Sequence, residues 1–526
     1  MKRRTLLAAS AAGLAACGRD EAPAFTSRWV GAGPERGHRL REKSGALPAP
    51  AVRRRTGALV LGGGIAGLSA LRALVRAGHH DAQLLELEDE AGGNSRGHVL
   101  RGRPCPVGAH YLPLPGPQAR GVSEWLHEIG LLRHELGRTV PDERHLCHSP
   151  QERLFMAGAW QDGLLPSAEG RPATLAQYRA FGQRVGHLQR SLGFAVPSHR
   201  APWTAGHAAL DAETFATWLA REGLGDERLL AHLDYACRDD YGAGLATVSA
   251  WAGIHYFASR HGFHAPGDEA EAPDAVFTWP EGNAWLVRQL AAPHAARIHT
   301  GRTVWRVDEG RHGVEVTAWN DATQQAESWS APQVVVALPL FVAARVVVSP
   351  LPALAKAVAA TRYAPWLVTN LHLDGPVLDR PGAPPSWDNV AYAPAGSTSA
   401  LGYVDATHQS LVPLRDGTLL TAYHALPESQ RAQLLGESAG RWAQRVVADL
   451  AATLHPDLPR RVRQADLMRH GHAMRIPAPG TRGDPALAAL RQARGRLRFA
   501  HADLAGYSVF EEAFEAGVEA GGVPNT

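Results

Sequence analysis

The spacing of apolar residues changes several times along the chain, and each change marks an element. Ala58 to Leu61 is a short unbroken apolar run, the pattern of a strand buried on both faces. Glycines follow, and then Leu68, Leu71, Leu74 and Val75 fall on one helical face. This predicts a helix over 66–77, closed by Gly78. A second strand is predicted over 82–88, which completes a compact βαβ unit. From 122 to 270 the pattern is mostly helical, as in "SEWLHEIGLL" and "AETFATWLAREGL". Residues 302–319 alternate as two strands around an "EGRHG" turn, and 332–339 reads as a buried strand. A mixed stretch covers 345–478, and the chain closes with a strand, a loop and a helix in "GRLRFAHADLAGYSVFEEAFEAGVEAG". Residues 18–55 hold no sustained period and are rich in Pro, Gly, Arg and Ala, so they read as a tether, partly ordered at most.

A length of 526 residues with 45% apolar content calls for two or more domains. The first residues stand apart. "MKRRTLLAASAAGLAACG" has a basic start, an apolar run from Leu6 to Ala16 and then Cys17. That run is too short to cross a bilayer and is built like a secretory signal. Arg3-Arg4 ahead of it suggests the twin-arginine (Tat) route. "LAAC" resembles the lipobox of bacterial lipoproteins, in which the Cys carries lipid; an ordinary signal with a chance Cys is the other reading. Cleavage before Cys17 removes three of the 54 basic residues and none of the 51 acidic ones. The mature chain is then formally neutral, so no nucleic-acid partner is expected. Cys105, Cys147 and Cys237 have no metal-type spacing; one bridge or three free thiols are both compatible with them.

Gly62, Gly64 and Gly67 form G-x-G-x-x-G between the first strand and its helix. The first allows a tight turn, the second lets backbone approach a diphosphate, and the third lets helix pack on strand. The helix start, including Ala66, then offers free amides to the anion. Glu86 lies 19 residues past Gly67, where a carboxylate accepts both ribose hydroxyls and disfavours a ribose phosphate. A second glycine pair follows in "DEAGGNSRG", with Gly93 and Asn94.

"VLGGGIAGLSALRAL" with "LLELEDEAGGNSRG" resembles the N-terminal signature of the flavin-containing amine oxidase superfamily, which includes monoamine and polyamine oxidases and, more distantly, phytoene desaturases. The closing segment is similar to that family's final strand, acidic step and helix. The resemblance implies FAD and an α/β fold: a Rossmann-like FAD-binding domain of the GR2 type, with an interleaved α+β substrate domain. It places Asp503 at the ribityl chain or phosphate, and Val304 where a backbone group holds the adenine. Ser508 and Glu511 form S-x-x-E, a capping box that sets the final helix near Val509, whose amides face the flavin. The implied division is a signal over 1–17, a linker over 18–55, an FAD-binding domain from 56–115, 275–344 and 471–526, and a substrate domain from 116–274 and 345–470.

The chain departs from the family at the expected reaction centre. The lysine that many relatives carry after the central strand falls on Ala344, beside Arg345, and Lys356 lies in a helix-like run as a surface residue. His470 and His472 stand where a cage aromatic is usual; His472 is read as a base or donor at the flavin, or as a structural histidine. His110 and Tyr111 in "PVGAHYLPLP", and Tyr507, are placed near the ring by the same resemblance. Three functions remain open: oxidation of an amine or polyamine, dehydrogenation or isomerisation of a C–C bond, and a flavin-bearing structural or electron-transfer role. An acidic cavity would favour the first, a neutral Trp-rich one the second. A folded flavoprotein fits Tat export, so the expected location is the periplasmic side of a bacterial membrane, with a lipid anchor on Cys17.

Overall fold

The computed structural model describes residues 25–42, 47–260, 262–268, 275–392, 400–410 and 417–522. Its centre is a five-stranded sheet in the order Ile298–His299, Gln83–Leu85, Leu59–Leu61, Val334–Val336, Leu497–Phe499, parallel throughout. The strands Leu59–Leu61 and Val334–Val336 are entirely buried, which is why they are continuous rather than alternating apolar runs. The predicted second strand is shorter than expected, Gln83–Leu85, because the chain turns at Glu86.

The two ends of the chain meet on one face of this sheet. The helix Ile65–Arg76 packs against the C-terminal helix Phe510–Gly521 at very short range. Gly517 and Gly521 allow this, since a methyl group on either would overlap the carbonyl oxygens of Ala66 and Ala70. Ser69 Oγ donates to the Phe514 carbonyl at 2.9 Å across the same seam. Beside the central sheet, Arg302–Glu309, Val314–Asn320 and Gln325–Ala331 form an antiparallel meander.

The second domain is built on an eight-stranded sheet ordered Thr26–Trp29, Val462–Arg475, Tyr363–Leu373, Thr418–Ala425, Ala400–Asp405, Asp388–Ala391, Glu152–Met156, Ala159–Asp162. Helices between Pro172 and Ala258 cover it and share its core, through residues such as Phe181, Phe215, Leu233 and Tyr241. Two hairpins interrupt the helical run expected from 122 onward: Leu132–Glu135 with Arg138–Pro141, and Glu152–Met156 with Ala159–Asp162. Phe155 and Trp160 pair across the second hairpin, a cross-strand contact that helical spacing does not reveal.

The tether expected over 18–55 is replaced, from Thr26 onward, by built structure. Thr26–Trp29 is an edge strand of the large sheet, Pro34–Glu42 is a helix, and Val52–Arg55 adds a parallel strand to the meander. Arg3, Arg4 and Cys17 lie outside the described residues. Cys105, Cys147 and Cys237 are free thiols. Among the described residues no helix is long and apolar enough to cross a membrane, and no group of three metal-ligating side chains occurs.

Candidate active site

A crevice runs over the C-terminal ends of the central strands, and glycines form its floor. Gly62 adopts φ +99°, and a methyl group there would meet the Ala337 carbonyl oxygen at 2.5 Å. Gly67 lies so close to the Gly62 carbonyl that no side chain fits. Gly64 is the N-cap of the helix Ile65–Arg76 and provides no side-chain cap, so the first-turn amides, Ala66 included, are left for another acceptor. Gly93, at φ +56°, backs directly onto Gly64. Gly62, Gly64, Gly93 and Asn94 all retain exposed surface along this line. Asn94 Nδ2 donates to the Ala473 carbonyl at 2.7 Å and so ties the floor to the substrate sheet.

Glu86 sits where the strand ends. Its Oε2 accepts from the Gly63 amide at 2.5 Å and its Oε1 from the Glu88 amide at 2.8 Å. Burial pushes its pKa up, and those two amides oppose the shift. Each oxygen keeps a lone pair for a ribose hydroxyl. Val304 is buried, at a bulge where strand pairing slips between Val304 and Arg306.

The closing segment is arranged differently from the expectation. Val509 is the N-cap of Phe510–Gly521, but no side chain caps that helix. Ser508 Oγ accepts from the Arg475 amide at 3.0 Å, so the S-x-x-E capping box does not form. Ser508 and Val509 keep exposed surface beside these uncapped amides. Asp503 has no exposed surface; its Oδ2 accepts from the Leu340 amide at 3.0 Å and from the Tyr363 hydroxyl. Its Oδ1 has no hydrogen-bond partner and lies 3.3 Å from the partly exposed His501 ring. Tyr507 is likewise sealed in the core at 1% exposure and donates to Glu512 at 2.7 Å, so it supports the site from behind and does not reach a substrate.

At the other end of the crevice, His110 stacks on Tyr423 with ring centres 4.3 Å apart and lies 5.4 Å from Trp387. Burial lowers its pKa to about 3, so the ring is neutral. His470 Nε2 donates to the Val107 carbonyl oxygen at 2.7 Å. His472 is exposed and flanked by Phe341 and Tyr363, with ring centres at 4.8 and 5.7 Å. Lys356 is on the surface of the helix Pro352–Ala359.

Beyond His110 and Tyr111 lies a cluster of carboxyls and tyrosines that the sequence does not announce: Tyr111, Asp239, Tyr256, Arg260, Asp388 and Tyr392 interact with one another and each keeps part of its surface. Tyr111 hydrogen-bonds Asp239, and Tyr235 hydrogen-bonds Asp388. Asp240 pairs with Arg260 at 3.7 Å. Burial first, and the charge of Asp240 second, push Asp239 up to about 7. A signal for this cluster does exist in the sequence. Asp239 and Asp240 sit in the last turn of the helix Glu227–Tyr241, where the helix dipole disfavours acids, and that placement needs a reason.

The family described as flavin containing amine oxidoreductase matches residues 65–521. The chain belongs to that family. It is 27% identical over 289 residues to a protein of Mycobacterium tuberculosis (strain CDC 1551 / Oshkosh) carrying the name flavin-containing monoamine oxidase AofH. That match spans 53% of this chain and 56% of the relative, so only about half of each is aligned. In fold it is similar to wild-type putrescine oxidase bound to putrescine, with a TM-score of 0.65, 16% identity, and coverage of 89% of this chain and 98% of that one. It is also similar to cyclohexylamine oxidase from Brevibacterium oxydans IH-35A, with a TM-score of 0.62, 17% identity, and coverage of 89% and 98%.

FAD is the cofactor of this flavin-dependent oxidoreductase family, and the crevice fits it. Two helix N-termini, at Gly64 and Val509, open onto the crevice without side-chain caps. They are suited to a diphosphate at one end and an electron-rich ring edge at the other. Glu86 supplies the ribose acceptor between strand and turn.

Proposed function

We propose that the protein oxidises an aliphatic amine bearing a second cationic nitrogen, a diamine or polyamine. The observation that carries this reading is the cluster beside Tyr111 in which the half-buried carboxyls of Asp239 and Asp388 lie among tyrosines. When bound, FAD supplies the two-electron acceptor. Tyr423, Trp387 and neutral His110 form an aromatic wall that excludes water from the reacting carbon. His472, an exposed imidazole whose pKa is lowered to about 4, is neutral and accepts a hydrogen bond from the substrate nitrogen. Asp239 and Asp388 hold the distant ammonium. A diamine is also the ligand named for the putrescine oxidase of similar fold.

The test is substrate selectivity with pH. Asp239 titrates at about 7 and is neutral below that value, so its attraction for a cation appears as pH rises. An aliphatic ammonium, with a pKa of about 10, stays charged through this range. KM for a linear diamine should therefore fall as pH rises through about 7, whereas KM for a monoamine of equal length should not. Asp239→Asn should raise the diamine KM by about tenfold or more, equivalent to about 1.4 kcal/mol, and flatten the pH dependence. A diamine KM unchanged by this substitution contradicts the assignment.

We further propose that the protein works in the bacterial envelope. The support is Arg3-Arg4, the apolar run to Ala16 and the lipobox-like "LAAC" ending at Cys17. Export after folding is compatible with a cofactor that only a folded crevice binds.

A further inference from the structure

The segment Thr26–Glu42 is the one part of the described chain that bonds to both domains beside the crevice without belonging to either sequence signature. Its strand runs parallel to Val462–Arg475, with Thr26 opposite Gln464 and Trp29 opposite Leu467. The Arg28 guanidinium grips Asp466 through Nε at 3.1 Å and Nη2 at 2.9 Å. Asp466 is fully buried and also bonds His98 Nε2 at 2.8 Å, on the cofactor side. Arg469 lies over the Trp29 ring at 4.8 Å.

The helix Pro34–Glu42 continues from there to the adenine end of the crevice. Arg36 reaches three acids: Asp89 at 2.7 Å, Asp321 at 2.8 Å and Glu88 at 3.7 Å. Arg39 adds a second bond to Asp321 at 2.7 Å. The Gly33 amide donates to Glu88 at 3.4 Å, and Leu40 is buried in the same core as Leu61, Leu85 and Val304. Glu88 in turn donates its amide to Glu86, the ribose acceptor. The helix therefore rests on the Glu86–Asp89 turn and the Asp321 loop, while the strand ahead of it rests on the substrate sheet.

We propose that residues 26–42 are a clasp on the cofactor crevice, with Arg36 fixing the ribose-binding turn and Arg28 fixing the substrate sheet, so that FAD leaves only when the clasp lifts. Arg36, Glu88 and Asp321 are mostly buried while Asp89 is largely exposed, so the hold of this network rests on the Glu88 and Asp321 pairs. The arginines that make these bonds lie outside the glycine signature, so the clasp adds a retention device to the family's crevice.

The measurement is the rate at which purified holoprotein releases FAD after dilution, read as the recovery of free-flavin fluorescence. Arg36→Ala should release FAD about tenfold faster than wild type or more, a change equivalent to about 1.4 kcal/mol. Arg28→Ala should show a smaller acceleration, since its guanidinium is largely exposed. Wild-type release should quicken in about 1 M salt, where charges are screened beyond about 3 Å. Arg306→Ala, which breaks a surface pair with Asp308, serves as the control and should match wild type. Release from Arg36→Ala within about twofold of that control overturns the proposal. Should Arg36→Ala not yield holoprotein, hydrogen exchange on the wild type decides the question. The amides of 35–42 must exchange at least as fast as FAD departs, and FAD leaving faster than they open overturns the clasp equally.

Discussion

Replacing Glu86 with alanine should strip the protein of FAD while leaving its secondary structure intact. The carboxylate sits at the end of the strand where the ribose is expected, and hydrogen bonds to a charged group contribute about 1.5–3 kcal/mol each. The substitution also orphans the Gly63 and Glu88 amides, whose only acceptor there is this side chain. Burying an unpaired amide costs about 1–3 kcal/mol, which loosens the turn that the diphosphate needs. The check is flavin content per protein after purification, alongside far-ultraviolet circular dichroism. Full FAD occupancy in Glu86→Ala would show that the ribose is held elsewhere.

Gly67→Ala should have a still larger effect, because it acts on the fold of the crevice itself. One added methyl group would overlap the Gly62 carbonyl oxygen, and that oxygen belongs to backbone that cannot swing aside. Gly62 is itself pinned at φ +99° against Ala337, so strain passes into the central sheet. Overpacking of this kind costs about 1–3 kcal/mol or more even where side chains can adjust, and here backbone must move. We expect little soluble protein and none of it yellow. Gly116→Ala, at a glycine with open space around it and no positive φ, should purify as wild type. A soluble, flavin-loaded Gly67→Ala protein would mean that the turn is built differently.

These two residues were legible in the sequence for a physical reason. A glycine turn between a buried strand and a helix is determined by local sterics, and an acid at the next strand end follows from the same unit. The closing segment was less legible. Asp503, Tyr507 and Ser508 have the residue types that a flavin site needs, but their side chains are engaged by partners within the fold, some of them far along the chain. Leu340 and Tyr363 hold Asp503, Glu512 holds Tyr507, and the Arg475 amide binds Ser508. No local pattern reports which way a loop side chain turns when its partner lies more than a hundred residues away, as Tyr363 does from Asp503.

The acidic cluster and the N-terminal clasp escaped the sequence for the same reason. Tyr111, Asp239, Arg260 and Asp388 come from four separate stretches, and only the folded sheet and helices bring them together. Thr26–Glu42 carries no apolar period because much of its hold comes from arginines meeting Asp466, Asp89 and Asp321. An arginine-rich segment without periodicity reads as a linker until its acidic partners are known.

The central claim is that this crevice and the acidic cluster beside it together oxidise an amine with a second positive charge. Anaerobic mixing of the yellow holoprotein with a linear aliphatic diamine tests it most directly, because flavin reduction is then observed without any assumption about the final electron acceptor. The flavin absorbance should bleach rapidly with the diamine and far more slowly with a monoamine of the same chain length. A flavin that dithionite reduces but no amine bleaches, or one that an unsaturated lipid bleaches instead, would contradict the account.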